Sequence, residues 1–147
     1  MRPPLGRVAD AIALVIQPPG DAIDALHHQP QVIDAQVRVT GLRGQRIDLV
    51  VAVGGGSVID LGKALAALIP QPGAVLDHLE GVGAGRPLDA APLPFIALPT
   101  TAGTGAEATK NAVIGVPEAG RKVSLRDLRM LPDLAIVDPA LTDHCPA

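Results

Sequence analysis

The 147-residue sequence predicts an α/β domain built on a parallel sheet. Two short apolar runs, near residues 49–53 and 94–98, each lead into a loop of glycines or small hydroxyl residues. Buried parallel strands carry such continuous apolar runs because both faces of their sheet are covered. The segment 58–69 between them has the length and apolar spacing of a helix and ends at Pro70. A strand–helix–strand order of this kind favours parallel pairing of the two strands.

The remaining elements follow from local patterns. Residues 32–39 alternate apolar and polar side chains, which predicts a strand. Residues 8–16 are apolar enough for a helix or a strand, and the proline- and glycine-rich residues 70–93 predict an exposed connector. A β-hairpin turning at 117–120 and a further strand are also expected, with strands near 110–116, 121–125 and 134–138.

The most informative motif is the triple glycine at residues 54–56, directly after the first buried strand. Glycines allow the backbone to approach a bulky anion closely. Ser57 is predicted to be the N-cap of the following helix, with Asp60 three residues later as its capping-box partner. The N–H groups and positive dipole end of such a helix bind phosphate readily. We therefore expect this turn to hold a nucleotide phosphate.

Other interpretations of the motif remain open. A P-loop needs four residues between its first glycine and Gly-Lys, whereas five separate Gly56 from Gly62, and Ala64 follows where Ser or Thr belongs. Three consecutive glycines also do not match the G-x-G-x-x-G dinucleotide fingerprint. A tight turn without a ligand is the simpler alternative. Asp60 and Lys63 lie three apart on one helix, so a mutual ion pair is as good an interpretation as a ligand contact for either.

The second loop, in residues 94–107, repeats the design after the next strand. Thr100, Thr101 and Thr104 offer hydroxyl groups, and the intervening glycines expose backbone N–H groups. Hydroxyls and N–H groups can hydrogen-bond a phosphate, a ribose or a carboxamide without adding charge. Open parallel sheets bind ligands at the carboxyl ends of their strands. The two loops are therefore expected to form one site.

Three ordered motifs resemble those of the iron-containing alcohol dehydrogenases, within the superfamily of dehydroquinate synthase and glycerol dehydrogenase. They are GGGSVIDLGKA at 54–64, PTTAGTGAE at 99–107 and LAIVDPALT at 134–142. The resemblance implies a Rossmann-like parallel sheet of the dehydroquinate synthase-like N-terminal type, with a β-hairpin. It also implies reversible hydride transfer between an alcohol and NAD or NADP.

The resemblance assigns the pyrophosphate of the cofactor to the glycine turn and a stretch of the dinucleotide to the threonine loop. It places Lys122 of the hairpin near the nicotinamide ribose, and Val113 and Leu141 as further contacts. The full set of residues predicted to bind the cofactor is Gly54, Gly55, Gly56, Ser57, Asp60, Thr100, Thr101, Thr104, Val113, Lys122 and Leu141. No catalytic residue is assigned.

The resemblance further implies a divalent metal, Fe²⁺ or Zn²⁺, bound by one Asp and three His of a helical C-terminal domain. We interpret residues 1–147 as a single NAD(P)-binding domain without that helical domain, with a poorly matched part at 1–46 and a family-like core at 47–142. The histidines at 27, 28, 78 and 144 are expected to be solvated loop residues, so no metal ligand is assigned. The chain alone is expected to be inactive as an alcohol dehydrogenase for that reason.

Composition restricts the partners. A formal charge of −3 gives no attraction for nucleic acid or an anionic membrane surface. One cysteine excludes an internal disulfide and favours a cytoplasmic location. The implied substrate is a small alcohol or aldehyde, and a homodimer is one option for assembly. The alternatives are a non-catalytic dinucleotide-binding fragment, a superfamily relative such as glycerol dehydrogenase, maleylacetate reductase or a dehydroquinate synthase-like enzyme, and an ATP-binding phosphotransferase.

Overall fold

The computed structural model describes residues 12–16 and 30–143. Two α-helices and six strands occur in this part of the chain, together with short 3₁₀ segments. In chain order they are β1 (Ile12–Ile16), α1 (Val32–Leu42), β2 (Leu49–Gly54), α2 (Gly56–Leu68), β3 (Phe95–Pro99), β4 (Asn111–Val116), β5 (Arg121–Arg126) and β6 (Leu134–Ala135).

Strands β1, β2, β3 and β6 form a sheet in that spatial order, and every pair in it is parallel. The register pairs Val50 with Phe95 and Gly54 with Pro99, so β2 and β3 end side by side. The α/β class with a parallel sheet is therefore confirmed. Strands β4 and β5 form a separate antiparallel hairpin, which confirms the hairpin predicted for residues 110–125.

Helix α2 lies at the centre of the domain, and its residues Val58–Leu68 are all buried. It packs on β2 and β3 on one side and on β4 on the other. Side chains of Ile59, Leu65 and Leu68 fill the core with Phe95, the only aromatic residue. A helix that is apolar around most of its circumference is expected to be covered on several sides. Burial of α2 between the sheet and the hairpin satisfies that requirement.

Close contact between α2 and the sheet depends on Gly62. A Cβ atom added at this position would lie 2.7 Å from the Cβ of Ala52 and 2.7 Å from the ring of Phe95. Both neighbours are buried, so neither can move aside without disturbing other core contacts.

We expect Gly62→Ala to lower the free energy of unfolding by about 1–3 kcal/mol, because overpacking outweighs the gain in helix propensity. Gly41→Ala is the matched control, since Gly41 also lies in a helix but has nothing within 4 Å of an added Cβ. It should raise the free energy of unfolding by about 0.5–1 kcal/mol. Urea unfolding curves measure both, and the same sign for the two variants would contradict the close packing described here.

The hairpin packs its apolar face on α2. Ala112 and Ile114 of β4 and Leu125 of β5 are buried there, and the register pairs Ala112 with Leu125. Alternate residues therefore point to the opposite face of the hairpin. The turn uses Gly120 with φ 59°, a left-handed value that favours glycine.

The strand predicted at 32–39 is wrong, because residues 32–42 form helix α1. The alternating pattern also contains the helical spacing i, i+4, and the structure uses that spacing. Ala35 and Val39 are fully buried, whereas Ile33 and Val37 are 57% and 67% exposed. Contacts of α1 with α2 therefore outweigh the β propensity of its valines.

The exposed connector predicted at 70–93 is also wrong in part. Val75, Leu79 and Leu88 are buried, and Val75–His78 forms a 3₁₀ segment. Gln71 holds the connector in place: its amide nitrogen donates to the carbonyls of Ala67 and Ala90, and its amide oxygen accepts from the N–H groups of Asp89 and Ala90. These polar contacts allow an irregular segment to be buried.

His78 is buried rather than solvated, at 4% exposure. Its Nδ1 lies 3.1 Å from the carbonyl oxygen of Arg86, and its Nε2 lies 3.4 Å from that of Pro72. The expectation of a solvated loop histidine is therefore wrong at this position. The histidines at 27, 28 and 144 lie outside the described residues.

The ends of the chain give mixed outcomes. Residues 12–16 form β1, so the strand alternative holds for them, while residues 8–11 lie outside the described part. Strand β6 covers only Leu134–Ala135 and is shorter than the predicted 134–138. In residues 12–16 and 30–143, no helix has the length and apolarity needed to cross a membrane.

Candidate dinucleotide site

The glycine turn and the threonine loop meet where β2 and β3 end. The N–H group of Thr100 donates to the carbonyl oxygen of Gly54 at 3.0 Å, one residue beyond the paired Gly54 and Pro99. Parallel strands bring their carboxyl ends to one edge, which explains why loops 45 residues apart in sequence lie together. The predicted convergence of the two loops is confirmed.

Helix α2 begins at Gly56, with Gly55 as its N-cap and no side chain capping it. The prediction that Ser57 is the N-cap, with Asp60 completing a capping box, is therefore wrong: Ser57 lies inside the first turn. No hydrogen bond to another described residue occupies the N–H groups of Gly56 and Ser57. Two donors and the positive end of the helix dipole therefore face the cleft.

The three glycines serve different purposes. A Cβ at Gly54 would lie 2.7 Å from that of Val58, so this glycine permits close strand–helix packing. Gly55 has φ −72° and ψ −177°, an extended conformation that any residue adopts. A Cβ at Gly56 would lie 3.2 Å from the Thr104 side chain. Gly55 is thus not needed for the backbone conformation, and Gly56 keeps the space between the two loops open.

The threonine loop turns through two glycines, Gly103 with φ 93° and Gly105 with φ 63°. These left-handed values allow the chain to reverse beside the glycine turn before the 3₁₀ segment Ala106–Ala108. The Thr101 hydroxyl oxygen is buried and has no hydrogen-bond partner within residues 12–16 and 30–143. A buried hydroxyl without a partner is unusual and indicates a ligand contact or a small local rearrangement.

A cleft of about 310 Å³ opens between the two loops and the hairpin. Its lining combines residues from the glycine turn, helix α2, the threonine loop and β4: Gly56, Ser57, Asp60, Thr104, Ala106, Thr109, Asn111 and Val113. The predicted residues Gly56, Ser57, Asp60, Thr104 and Val113 are thus brought together. Ala106, Thr109 and Asn111 were missed, because only the fold of the hairpin places them beside α2.

Asp60 lines this cleft and forms an ion pair with Lys63, which does not line it. Lys63 Nζ lies 3.2 Å from Asp60 Oδ1, and the Lys63 side chain is completely buried. Asp60 Oδ2 accepts from the N–H group of Val113 at 3.1 Å. The ion-pair interpretation is therefore confirmed for both residues, and a ligand contact by Asp60 stays a prediction.

Burial acts against both charges of the pair. Desolvation raises the pKa of the Asp60 carboxyl, opposed by the hydrogen bond from Val113 and by the charge of Lys63. Desolvation likewise lowers the pKa of the Lys63 ammonium, opposed mainly by Asp60. Each charge thus depends on the other; the Asp60 carboxylate depends also on the N–H group of Val113, and the Lys63 ammonium on the oxygen atoms to which it donates.

The other predicted residues lie outside the cleft lining. Lys122 is exposed on β5 opposite Gly115, on the same hairpin face as Val113. It borders a smaller pocket of about 280 Å³ together with Gln31, which no sequence signal indicated. Leu141 is 40% exposed in the 3₁₀ segment Pro139–Thr142. Thr100 and Thr101 directly follow β3 and are not among the residues that line the cleft.

The geometry fits a dinucleotide phosphate. Gly56 and Ser57 line the cleft with unoccupied N–H groups at a helix N-terminus, and an added Cβ at Gly56 would crowd Thr104 on the opposite side. The same region does not fit a catalytic metal. In the part of the chain that the structure describes, no three His, Cys, Asp or Glu side chains are grouped to hold an ion.

Comparison with known proteins identifies the family. The family model for iron-containing alcohol dehydrogenase matches residues 8–139. The chain is 40% identical over 119 residues to a probable alcohol dehydrogenase, EutG, of Escherichia coli, covering 81% of this chain and 29% of that protein. It is 37% identical to the phosphonoacetaldehyde reductase of Streptomyces viridochromogenes, covering 95% of this chain and 35% of that protein.

Comparison with solved structures also shows a shared fold. The sulfoacetaldehyde reductase of Bifidobacterium kashiwanohense, determined with NAD⁺, superposes with a TM-score of 0.79 at 28% identity, covering 94% of this chain and 41% of that one. The chain thus spans about a third of the curated relatives it matches. Because the family model covers most of the sequence and the fold agrees, this chain belongs to the iron-containing alcohol dehydrogenase family.

Proposed function

We propose that the chain is the NAD-binding part of an alcohol dehydrogenase that transfers hydride reversibly between an alcohol and NAD. The main supporting observation is that the glycine turn and the threonine loop meet at the ends of β2 and β3, beside the N-terminus of α2, which has no side-chain cap. Membership of the family supports the assignment. The alcohol or aldehyde substrate and the activity of the whole protein are part of this proposal.

Each element has a defined part in binding. The N–H groups of Gly56 and Ser57 donate to the pyrophosphate, and Thr104 faces them across the cleft. The nicotinamide half of the dinucleotide lies along the threonine loop and the hairpin face that carries Val113 and Lys122. When bound, the nicotinamide supplies the hydride acceptor or donor, and the chain holds and orients it. In this proposal residues 1–147 act as one binding domain.

Calorimetric titration with NADH tests the proposal. We expect saturable binding at one site, with ADP as a competitor, because both ligands place a diphosphate at the N-terminus of α2. NADPH is the comparison for NAD preference, which is proposed because a related structure contains NAD⁺. Absence of saturable NADH binding to the folded chain would contradict the proposed function.

Lys122 provides a more specific test. We expect Lys122→Ala to weaken NADH binding by about 1–3 kcal/mol, because a charge-assisted bond to the ribose is lost. Arg126→Ala is the matched control, since Arg126 is an exposed cation on the same strand and the same face. Equal and small losses for both variants would favour an ordinary solvated hairpin face.

A further inference from the structure

Lys63 is the most deeply buried charged residue among the described residues, with 1% exposure. Its ammonium contacts three residues of the cleft wall. It lies 2.8 Å from the carbonyl oxygen of Ala106, 2.9 Å from the hydroxyl of Thr109 and 2.5 Å from the carbonyl oxygen of Asn111. All three residues line the dinucleotide cleft, while Lys63 itself does not.

Asp60 completes the connection from the same helix. One of its oxygens pairs with Lys63, and the other accepts the N–H group of Val113. Two side chains one turn apart on α2 therefore bind the wall of the cleft at four positions, 106, 109, 111 and 113. The first turn of the same helix carries the N–H groups of the proposed phosphate site. Helix α2 therefore fixes the distance between that site and the cleft wall.

Stabilisation of the fold alone does not explain a buried lysine. Well-packed apolar side chains of similar volume usually stabilise a protein as much as a buried ion pair, without the desolvation penalty. An ammonium group adds directional bonds that fix where particular carbonyl groups lie. The wall depends on these bonds, because the backbone hydrogen bonds described for residues 105–109 join only residues three apart in sequence. Two glycines with left-handed φ values, Gly103 and Gly105, also lie at the start of this segment.

We propose that Lys63, oriented by Asp60, is a positioning residue that sets the width of the dinucleotide cleft by holding the wall of residues 106–111 against helix α2. It acts on the nicotinamide half of the ligand, which the wall contacts, and has little influence on the diphosphate held at the N-terminus of α2. The inference rests on the proposed dinucleotide binding.

The test compares NADH with ADP in wild type and in Lys63→Gln, which removes the charge but keeps a donor. Lys63→Met is a second variant, and both are measured at a temperature where circular dichroism shows a folded chain. Arg43→Met is the matched control. Arg43 donates to the carbonyls of Leu68 and Gly73 at the other end of α2, far from the cleft.

We expect the dissociation constant for NADH to rise about tenfold in Lys63→Gln and at least as much in Lys63→Met, because the wall is no longer preorganised. That for ADP should change less than about twofold. Arg43→Met should lower the melting temperature without changing either constant. Wild-type NADH affinity in both folded Lys63 variants, or an equal loss for ADP, would overturn the inference. A wild-type chain that binds neither ligand would instead overturn the proposed function.

Discussion

Gly55→Val is expected to reduce NADH affinity at least about a hundredfold. The substitution puts a branched side chain at the N-cap of α2, where the proposed function requires the pyrophosphate to approach the backbone N–H groups. The extended backbone of Gly55 is one that valine also adopts, so the substitution adds no backbone strain. Loss of binding in a variant that is still folded would therefore report blocked access to the phosphate site.

Calorimetry with NADH measures this effect, and thermal unfolding confirms that the variant is folded. Ser57→Ala is the mild companion: it should weaken binding by about 0.5–2 kcal/mol by removing one hydrogen bond to the phosphate. Helix stability should be unaffected by it, because Ser57 is not the cap. Unchanged NADH affinity in folded Gly55→Val would show that the ligand does not lie on this turn.

Lys63→Met is expected to lower the free energy of unfolding by about 3–5 kcal/mol. The change leaves the Asp60 carboxylate buried without its partner and leaves the carbonyls of Ala106 and Asn111 without their donor. A domain of this size is typically stable by only about 5–15 kcal/mol, so the variant should unfold at much lower urea concentrations.

The double variant Asp60→Asn/Lys63→Met separates the causes of that loss. It removes the uncompensated charge, so part of the lost stability should return. Urea unfolding followed by circular dichroism measures both variants. A loss below about 1 kcal/mol in Lys63→Met would mean that the pair is solvated in solution and contributes as little as a surface ion pair.

Elements with strong local patterns were predicted well. The apolar runs before the two loops became β2 and β3, and the turn at 117–120 became a hairpin turn, because burial on both faces and glycine chemistry are visible in the sequence itself. The convergence of the two loops followed from the geometry of parallel strands.

The errors arose where distant contacts decide the structure. Residues 32–42 fit both periods, and only packing against α2 selects the helix through Ala35 and Val39. The connector is buried because Gln71 satisfies backbone groups 19 residues away. Helix α2 starts at Gly56 rather than at Val58, which moves the N-cap from Ser57 to Gly55 but leaves the free N–H groups at the predicted turn.

Helix α2 has one end at the ligand cleft and its body in the core. Amide hydrogens of Ile59–Leu68 can therefore reach deuterated solvent only when most of the domain opens. A dinucleotide bound at the first turn stabilises the closed state by mass action. It should slow hydrogen exchange along the whole helix, including residues that lie far from the phosphate. Hydrogen exchange along the buried helix would thus show whether a dinucleotide occupies the cleft.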